Sequence, residues 1–187
     1  MYPKPTIKQI RFLSMIKSLA LMLIFSIFLK ALLNPGAANE MQNNVSVSYL
    51  SGWQDKKNIV FGAIELKLSP GWKTYWKNPG PFGVRPTLDW SDSKNIKDIQ
   101  FYWPTPTVFE QFDEMIAGYT SSLIIPIKII KHTPMEEAFL HIKLDFGICS
   151  DICVLKTTNI SEELASPTNT QASEIITQAL KKIPSRL

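Results

Sequence analysis

The feature that most constrains this chain is a set of short runs in which apolar residues recur at every second position. NVSVSYL (44–50) alternates Val45, Val47 and Tyr49, and IVFGAIELKLS (59–69) carries Ile64, Leu66 and Leu68 on one parity. AFLHIKLDF (138–146) sets Leu140, Ile142, Leu144 and Phe146 on one side. A period of two places such side chains on one face of an extended strand. SLIIPIKII (122–130) is a β-branched run interrupted by Pro126. Proline has no N–H to give a ladder, so this strand is expected at a sheet edge or a bulge. Short runs of this kind, broken by Pro and Gly, predict an all-β antiparallel sandwich.

Two stretches between the runs, SPGWKTYWKNPGPFGVRPTLDW (69–90) and YWPTPTVFEQFDEMIAGY (102–119), are rich in Pro, Gly and aromatics. They read as long ordered loops or short edge strands. Trp72, Tyr75, Trp76, Trp90 and Trp103 read first as packing residues. After Ile160 the character changes. SEELASPTNTQ reads as a polar linker, and ASEIITQALKKIP then places Ile175, Ile176, Ala179, Leu180 and Ile183 at helical spacing. Lys181 and Lys182 fall in the expected last turn, where cations suit a helix C-terminus. The division is thus a segment 1–38, a sandwich domain 39–165, and a linker with a short amphipathic helix over 166–187.

The first segment has a basic start, an apolar run from Ser18 to Leu29 and a small-residue exit at Gly36 and Ala38. That is the pattern of a secretory signal peptide cleaved after Ala38. Twelve helical residues cover about 18 Å, short of a hydrocarbon core of ~30 Å. The competing reading is an uncleaved anchor over residues 12–33, with Lys17 and Lys30 snorkelling to the interfaces. Either way the domain lies outside the cytoplasm. The segment also holds Lys4, Lys8, Arg11, Lys17 and Lys30 and no acidic residue, out of 20 basic and 16 acidic residues in the chain. The formal charge of +4 therefore belongs to the leader. With no basic block or glycine-rich phosphate loop beyond it, nucleic-acid binding is not indicated.

Chemistry concentrates in DFGICSDICVLK (145–156), which holds Cys149 and Cys153, the chain's two cysteines. A bridge between residues i and i+4 constrains a very small loop, worth roughly 2 kcal/mol against ~4.7 for a hundred-residue loop. It would tie no distant strands together, so a purely structural staple is physically weak. Four extended residues separate Cα atoms by ~13 Å, and a disulfide needs about 4.4–6.8 Å. Ser150–Asp151–Ile152 must therefore turn, as a tight loop or one helical turn, and carry both sulfurs to a sheet end where a partner can reach them. With His132 and His141, the cysteines match no usual zinc spacing. Thiolate copper ligation with Met115 or Met135 has nothing to bring those residues together. Asp145 and Asp151 flank the pair, and carboxylates nearby disfavour a thiolate. Either such a pair is better suited to being attacked as a disulfide than to attacking, or the two aspartates simply face water.

LSPGWKTYWKNPGPFGVRPTLDW, FYWPTP, AGY and LDFGICSDICVL, in that order, resemble the N-terminal periplasmic domain of DsbD-type thiol:disulfide interchange proteins. The likeness is to the branch related to suppressor-of-copper-sensitivity reductases and covers Val45 to Ile160. The resemblance implies an immunoglobulin-like sandwich that takes electrons from a DsbD-like membrane partner. It passes them to periplasmic thioredoxin-fold oxidoreductases, including those of cytochrome c maturation. Transfer runs through mixed disulfides at a pair mapping onto Cys149 and Cys153, without a cofactor. The resemblance also implies a cap loop bearing an aromatic residue, for which Phe109, Phe112 and Tyr119 in the 105–119 stretch are the candidates. Full members continue into a membrane domain and a thioredoxin-like domain. This sequence ends at Leu187, so the expectation is either that a separate membrane protein supplies its electrons or that it is a remnant or a differently used module. Two other classes stay open at this point: a binding sandwich with a permanently closed bridge, and a periplasmic copper-handling protein.

Overall fold

The computed structural model describes residues 44–55, 58–111, 113–164 and 170–184. The leader, with its alternative anchor over 12–33, lies outside the described residues. The elements are β1 (Val45–Gln54), β2 (Ile59–Leu68), β3 (Lys73–Tyr75), β4 (Thr87–Asp89), β5 (Ile96–Phe101), β6 (Thr107–Gln111), β7 (Glu114–Tyr119), β8 (Ser122–Lys131), β9 (Phe139–Cys149), β10 (Cys153–Glu163) and α1 (Thr170–Leu180). The strands form two antiparallel sheets. One has the order β1-β2-β8-β5; the other runs β10-β9-β3-β7-β6, with β4 also paired to β9. This is the immunoglobulin-like sandwich expected, with one short C-terminal helix.

The two sheets meet through the alternating runs. Val60, Ile64 and Leu66 of β2 and Leu123, Ile125, Ile127 and Ile129 of β8 face Leu140, Ile142, Leu144, Phe146 and Ile148 of β9 in one buried cluster. Each such side chain contributes about 1.5–3 kcal/mol relative to exposure, which fixes the register of all three strands. Pro126 corrects one expectation: β8 is an interior strand, flanked by β2 and β5. The register sets Pro126 against Tyr102, one residue beyond the end of β5, and the Pro126 carbonyl accepts from the Tyr102 N–H at 2.8 Å. The donorless nitrogen therefore faces a strand exit rather than a continuing ladder, and the sheet loses nothing by it.

The stretches expected as long ordered loops or short edge strands do hold short strands. Residues 69–90 contain β3 and β4, and 102–119 contain the β6–β7 hairpin, in which β7 is interior. The polar linker is also shorter than expected. Ser161–Glu163 complete β10, and Leu164 is buried with its N–H donated to the Ala138 carbonyl. In α1, Ala172, Ile176 and Ala179 are buried at i, i+4 and i+7, against β1, β2 and β8. A Cβ on Gly52 would stand 2.8 Å from Ile176 Cδ1, so glycine there lets the helix approach. Lys181 and Lys182 follow the helix in a turn.

β9 positions everything that follows. Its even-numbered residues face the sandwich core, so its odd-numbered residues face out of the six-stranded sheet. β3 and β4 occupy the same edge of β9 in succession, through Lys73↔Cys149 and Thr74↔Ile148, then Thr87↔Asp145 to Asp89↔Lys143. The chain between them must leave the sheet and return. It arches over the outer face, where Val84 and Tyr75 close on Gly147: a Cβ at Gly147 would lie 2.7 Å from Val84 Cβ and 2.9 Å from Tyr75 Cε2.

Candidate functional site

Cys149 ends β9 and Cys153 begins β10, and the two are direct partners across the last rung of the hairpin. They are joined as a disulfide with Cα atoms 4.1 Å apart. Ser150–Asp151–Ile152 form the turn, closed by the Ser150 N–H on the Ile152 carbonyl at 3.0 Å. It is a hairpin turn, one of the two geometries the spacing allowed. Hydrogen bonds of β9 and β10 already hold the two residues together, so the bridge braces no separate part of the fold.

The two sulfurs have different surroundings. Cys149 is only 1% exposed and packs with Tyr75 and Ile116, flanked by Val84 and Phe109, in a small cluster outside the main core. Cys153 is exposed. Beside it stand Ile152, 55% exposed, and Leu155, 73% exposed, the latter on the same face of β10. The expectation that both sulfurs reach solvent therefore holds for Cys153 alone; Tyr75 and the β6–β7 hairpin cover the other.

A hydrogen-bond cluster lies on the bridge. Gln111, the last residue of β6, directs Nε2 at Cys149 Sγ (3.4 Å), Cys153 Sγ (3.5 Å) and the Tyr75 hydroxyl oxygen (3.0 Å). The Tyr75 hydroxyl is itself 3.6 Å from Cys153 Sγ. Gln111 Oε1 is buried and has no hydrogen-bond partner among the described residues. Lys73 pairs with Cys149 from β3, and its Nζ sits 4.7 Å from the centre of the Phe109 ring. This cation comes from 76 positions before Cys149, outside the DFGICSDICVLK stretch.

Of the three cap candidates, Phe109 packs in the Cys149 cluster. Tyr119 lies in the main core, its hydroxyl donating to the Pro104 carbonyl at 2.8 Å, where burial raises its pKa well above the ordinary value. Phe112 lies outside the described residues. Asp145 accepts from the Thr157 hydroxyl and stands 3.9 Å from Lys143 Nζ. It lies four residues along β9 from the disulfide rung, about 13 Å of strand. Asp151 is exposed in the turn itself. Tyr75 and Gln111 were missed: Tyr75 was read as packing, and Gln111 was not singled out. The signal for Gln111 was thin: it shares the parity of Phe109 on β6, and both are half-buried while Val108 and Glu110 are exposed.

A sandwich with a local, half-covered disulfide at the end of one hairpin is built as a thiol:disulfide interchange domain. The family model for the N-terminal region of thiol:disulfide interchange protein DsbD matches residues 45–165, and the chain belongs to that family. The crystal structure of the N-terminal periplasmic domain of ScsB from Proteus mirabilis is similar, with a TM-score of 0.64 and 27% identity. The match covers 76% of this chain and 55% of that one, so the chain spans little more than half of the solved domain. The reduced N-terminal domain of Neisseria meningitidis DsbD aligns at 10% identity and a TM-score of 0.38, over 66% of this chain and 86% of that one. No curated protein sequence matches the chain.

Proposed function

We propose that this domain is a periplasmic electron relay in which Cys153 is the sulfur that exchanges with partners and Cys149 is the sulfur that leaves and resolves. The observation that carries the reading is the asymmetry of the bridge, one sulfur buried and the other exposed. Attack on a disulfide needs access to the sulfur, and of the two residues Cys153 is the exposed one. Ile152 and Leu155 give a partner apolar surface beside it. Cys149 then waits under Tyr75, Phe109 and Gln111, shielded from solution thiols and oxidants.

Family membership supports thioredoxin-fold oxidoreductases as partners on one side and a DsbD-like membrane donor on the other, with delivery to cytochrome c maturation as one outlet. The leader supports export, by cleavage near Ala38 or by retention over residues 12–33. Phe109 serves as the cap's aromatic residue, and Asp151 is the closer of the two acidic groups to the pair. Among the described residues no helix is long and apolar enough to cross a membrane.

The test is a trapping experiment. In the full chain, Cys149→Ser leaves Cys153 able to form a mixed disulfide that nothing resolves, so a partner cysteine should be captured in high yield. Cys153→Ser leaves only the covered sulfur and should capture at least tenfold less. Equal capture by both variants, or by neither, would contradict the assignment.

A further inference from the structure

The group placed best to act on the bridge is neither cysteine. Three hydrogen-bond acceptors converge on Gln111 Nε2: both bridge sulfurs and the Tyr75 oxygen. A neutral disulfide sulfur is a weak acceptor, whereas a thiolate is a strong one. The arrangement is thus a modest contact in the closed bridge and a strong one once the bridge opens. The second observation is Oε1 of the same amide, buried without a partner among the described residues. A buried acceptor left empty is costly, and the disulfide form has no proton to offer it. The reduced form has two S–H groups.

From this we infer that Gln111 is a catalytic residue of the exchange reaction: its Nε2 stabilises the thiolate that departs on Cys149, and its Oε1 accepts the S–H that forms when that thiolate is protonated. The proposal rests on the relay reading above. In the forward step a partner thiolate attacks Cys153 Sγ. The partner–Cys153 S–S bond forms, the Cys149–Cys153 bond breaks, and the electron pair of the broken bond leaves on Cys149 Sγ, where Gln111 Nε2 already points. The partner's second thiolate then attacks its own sulfur in the mixed disulfide, forming the partner's disulfide and releasing the electron pair onto Cys153 Sγ. The partner dithiol is oxidised by two electrons, the cysteine pair is reduced, and the two protons of the partner thiols end on Cys149 and Cys153 by way of water. In reverse, the same N–H stabilises the Cys149 thiolate that resolves a mixed disulfide at Cys153. Around the amide, Lys73 pairs with Cys149, Glu114 pairs with Gln111, Glu110 is exposed on β6, and Asp113 and Asp151 are exposed at the neighbouring turns.

The experiment separates this role from simple shielding, because the two predict opposite signs. Oxidised full chain is reduced under excess dithiothreitol, quenched with acid and scored by mass after alkylation. If Gln111 only covered the bridge, Gln111→Leu would expose it and reduction would speed up. A thiolate-stabilising amide predicts on the order of tenfold slower reduction in Gln111→Leu. The isosteric Gln111→Glu, whose carboxylate repels the thiolate, should be at least as slow at neutral pH. It recovers toward wild type as the carboxyl protonates, once the rates are corrected for the dithiothreitol thiolate fraction. In a Cys153→Ser background, the pH midpoint for alkylation of Cys149 should rise by about one unit with Gln111→Leu. Circular dichroism and thermal melts confirm that both variants fold. Unchanged or faster reduction in both variants overturns the role of Gln111 and leaves the relay standing. A wild-type bridge that resists dithiothreitol altogether overturns both.

Discussion

At the scale of single residues, the site depends on where side chains are missing as much as on where they are present. Gly147 lies beneath Tyr75 and Val84 with no room for a Cβ. The close approach it permits is what lowers Tyr75 onto the bridge, with its hydroxyl 3.6 Å from Cys153 Sγ. Gly147→Ala should therefore cost about 1–3 kcal/mol in denaturant unfolding and lift the arch off Cys149, with faster alkylation of that cysteine after reduction. Unchanged stability and unchanged alkylation would mean that the arch is not closely packed. Much of this was legible in the sequence and some was not. The two cysteines and the need for a turn between them follow from spacing alone. That one sulfur is covered does not, because the cover comes from Tyr75 and Gln111, 74 and 38 positions before Cys149. Local pattern carries no information about such long-range contacts.

At the scale of elements, the β6–β7 hairpin supplies the cover over Cys149. β6 is an edge strand, so its last residues are held on one side only. Phe109 is its anchor, packed on the Cys149 cluster with the Lys73 cation near its ring. Removing that anchor with Phe109→Ala should raise the rate of bridge reduction several-fold while leaving the main core intact. This is opposite in sign to the effect expected at Gln111, two residues away on the same strand. A slower reaction in Phe109→Ala would contradict a shielding role for the ring. The β9–β10 hairpin leads to a second expectation. Because the bridge spans one rung already held by backbone hydrogen bonds, reduction should lower unfolding stability by no more than about 2 kcal/mol. A larger loss in paired denaturant titrations of the oxidised and reduced protein would mark a structural bridge. The alternating runs made β2 and β9 readable, since each turns one apolar parity to the core. β10 was not readable over its length, because most of its residues are exposed and few are apolar. β5, β6 and β7 are only five or six residues each and carry no long apolar alternation, so their pairing rather than their pattern makes them strands.

At the scale of the whole molecule, the exchange site sits outside the core, so the domain can change redox state without repacking its sheets. The core has its own pH signature. Burial raises the Tyr49 hydroxyl well above its ordinary pKa, with the Glu162 charge adding to the effect, and burial alone raises Tyr119. Protons are held more tightly in the folded state, so this stabilisation is complete below the ordinary tyrosine value of about 10. It is lost as pH rises from there through the raised folded values. Thermal stability should thus fall steeply above pH 10, and Tyr49→Phe should flatten that fall. The same variant should be neutral or stabilising near pH 7, because the Tyr49 oxygen is buried with no partner among the described residues. A marked loss of stability at pH 7 would contradict this account of Tyr49. The central claim concerns the bridge itself, and a glutathione redox titration of the full chain, read by the fraction of Cys149–Cys153 disulfide, tests it most directly. The account predicts a midpoint between about −180 and −270 mV, the range of exchanging dithiols, and a bridge that stays closed until below about −300 mV would contradict it.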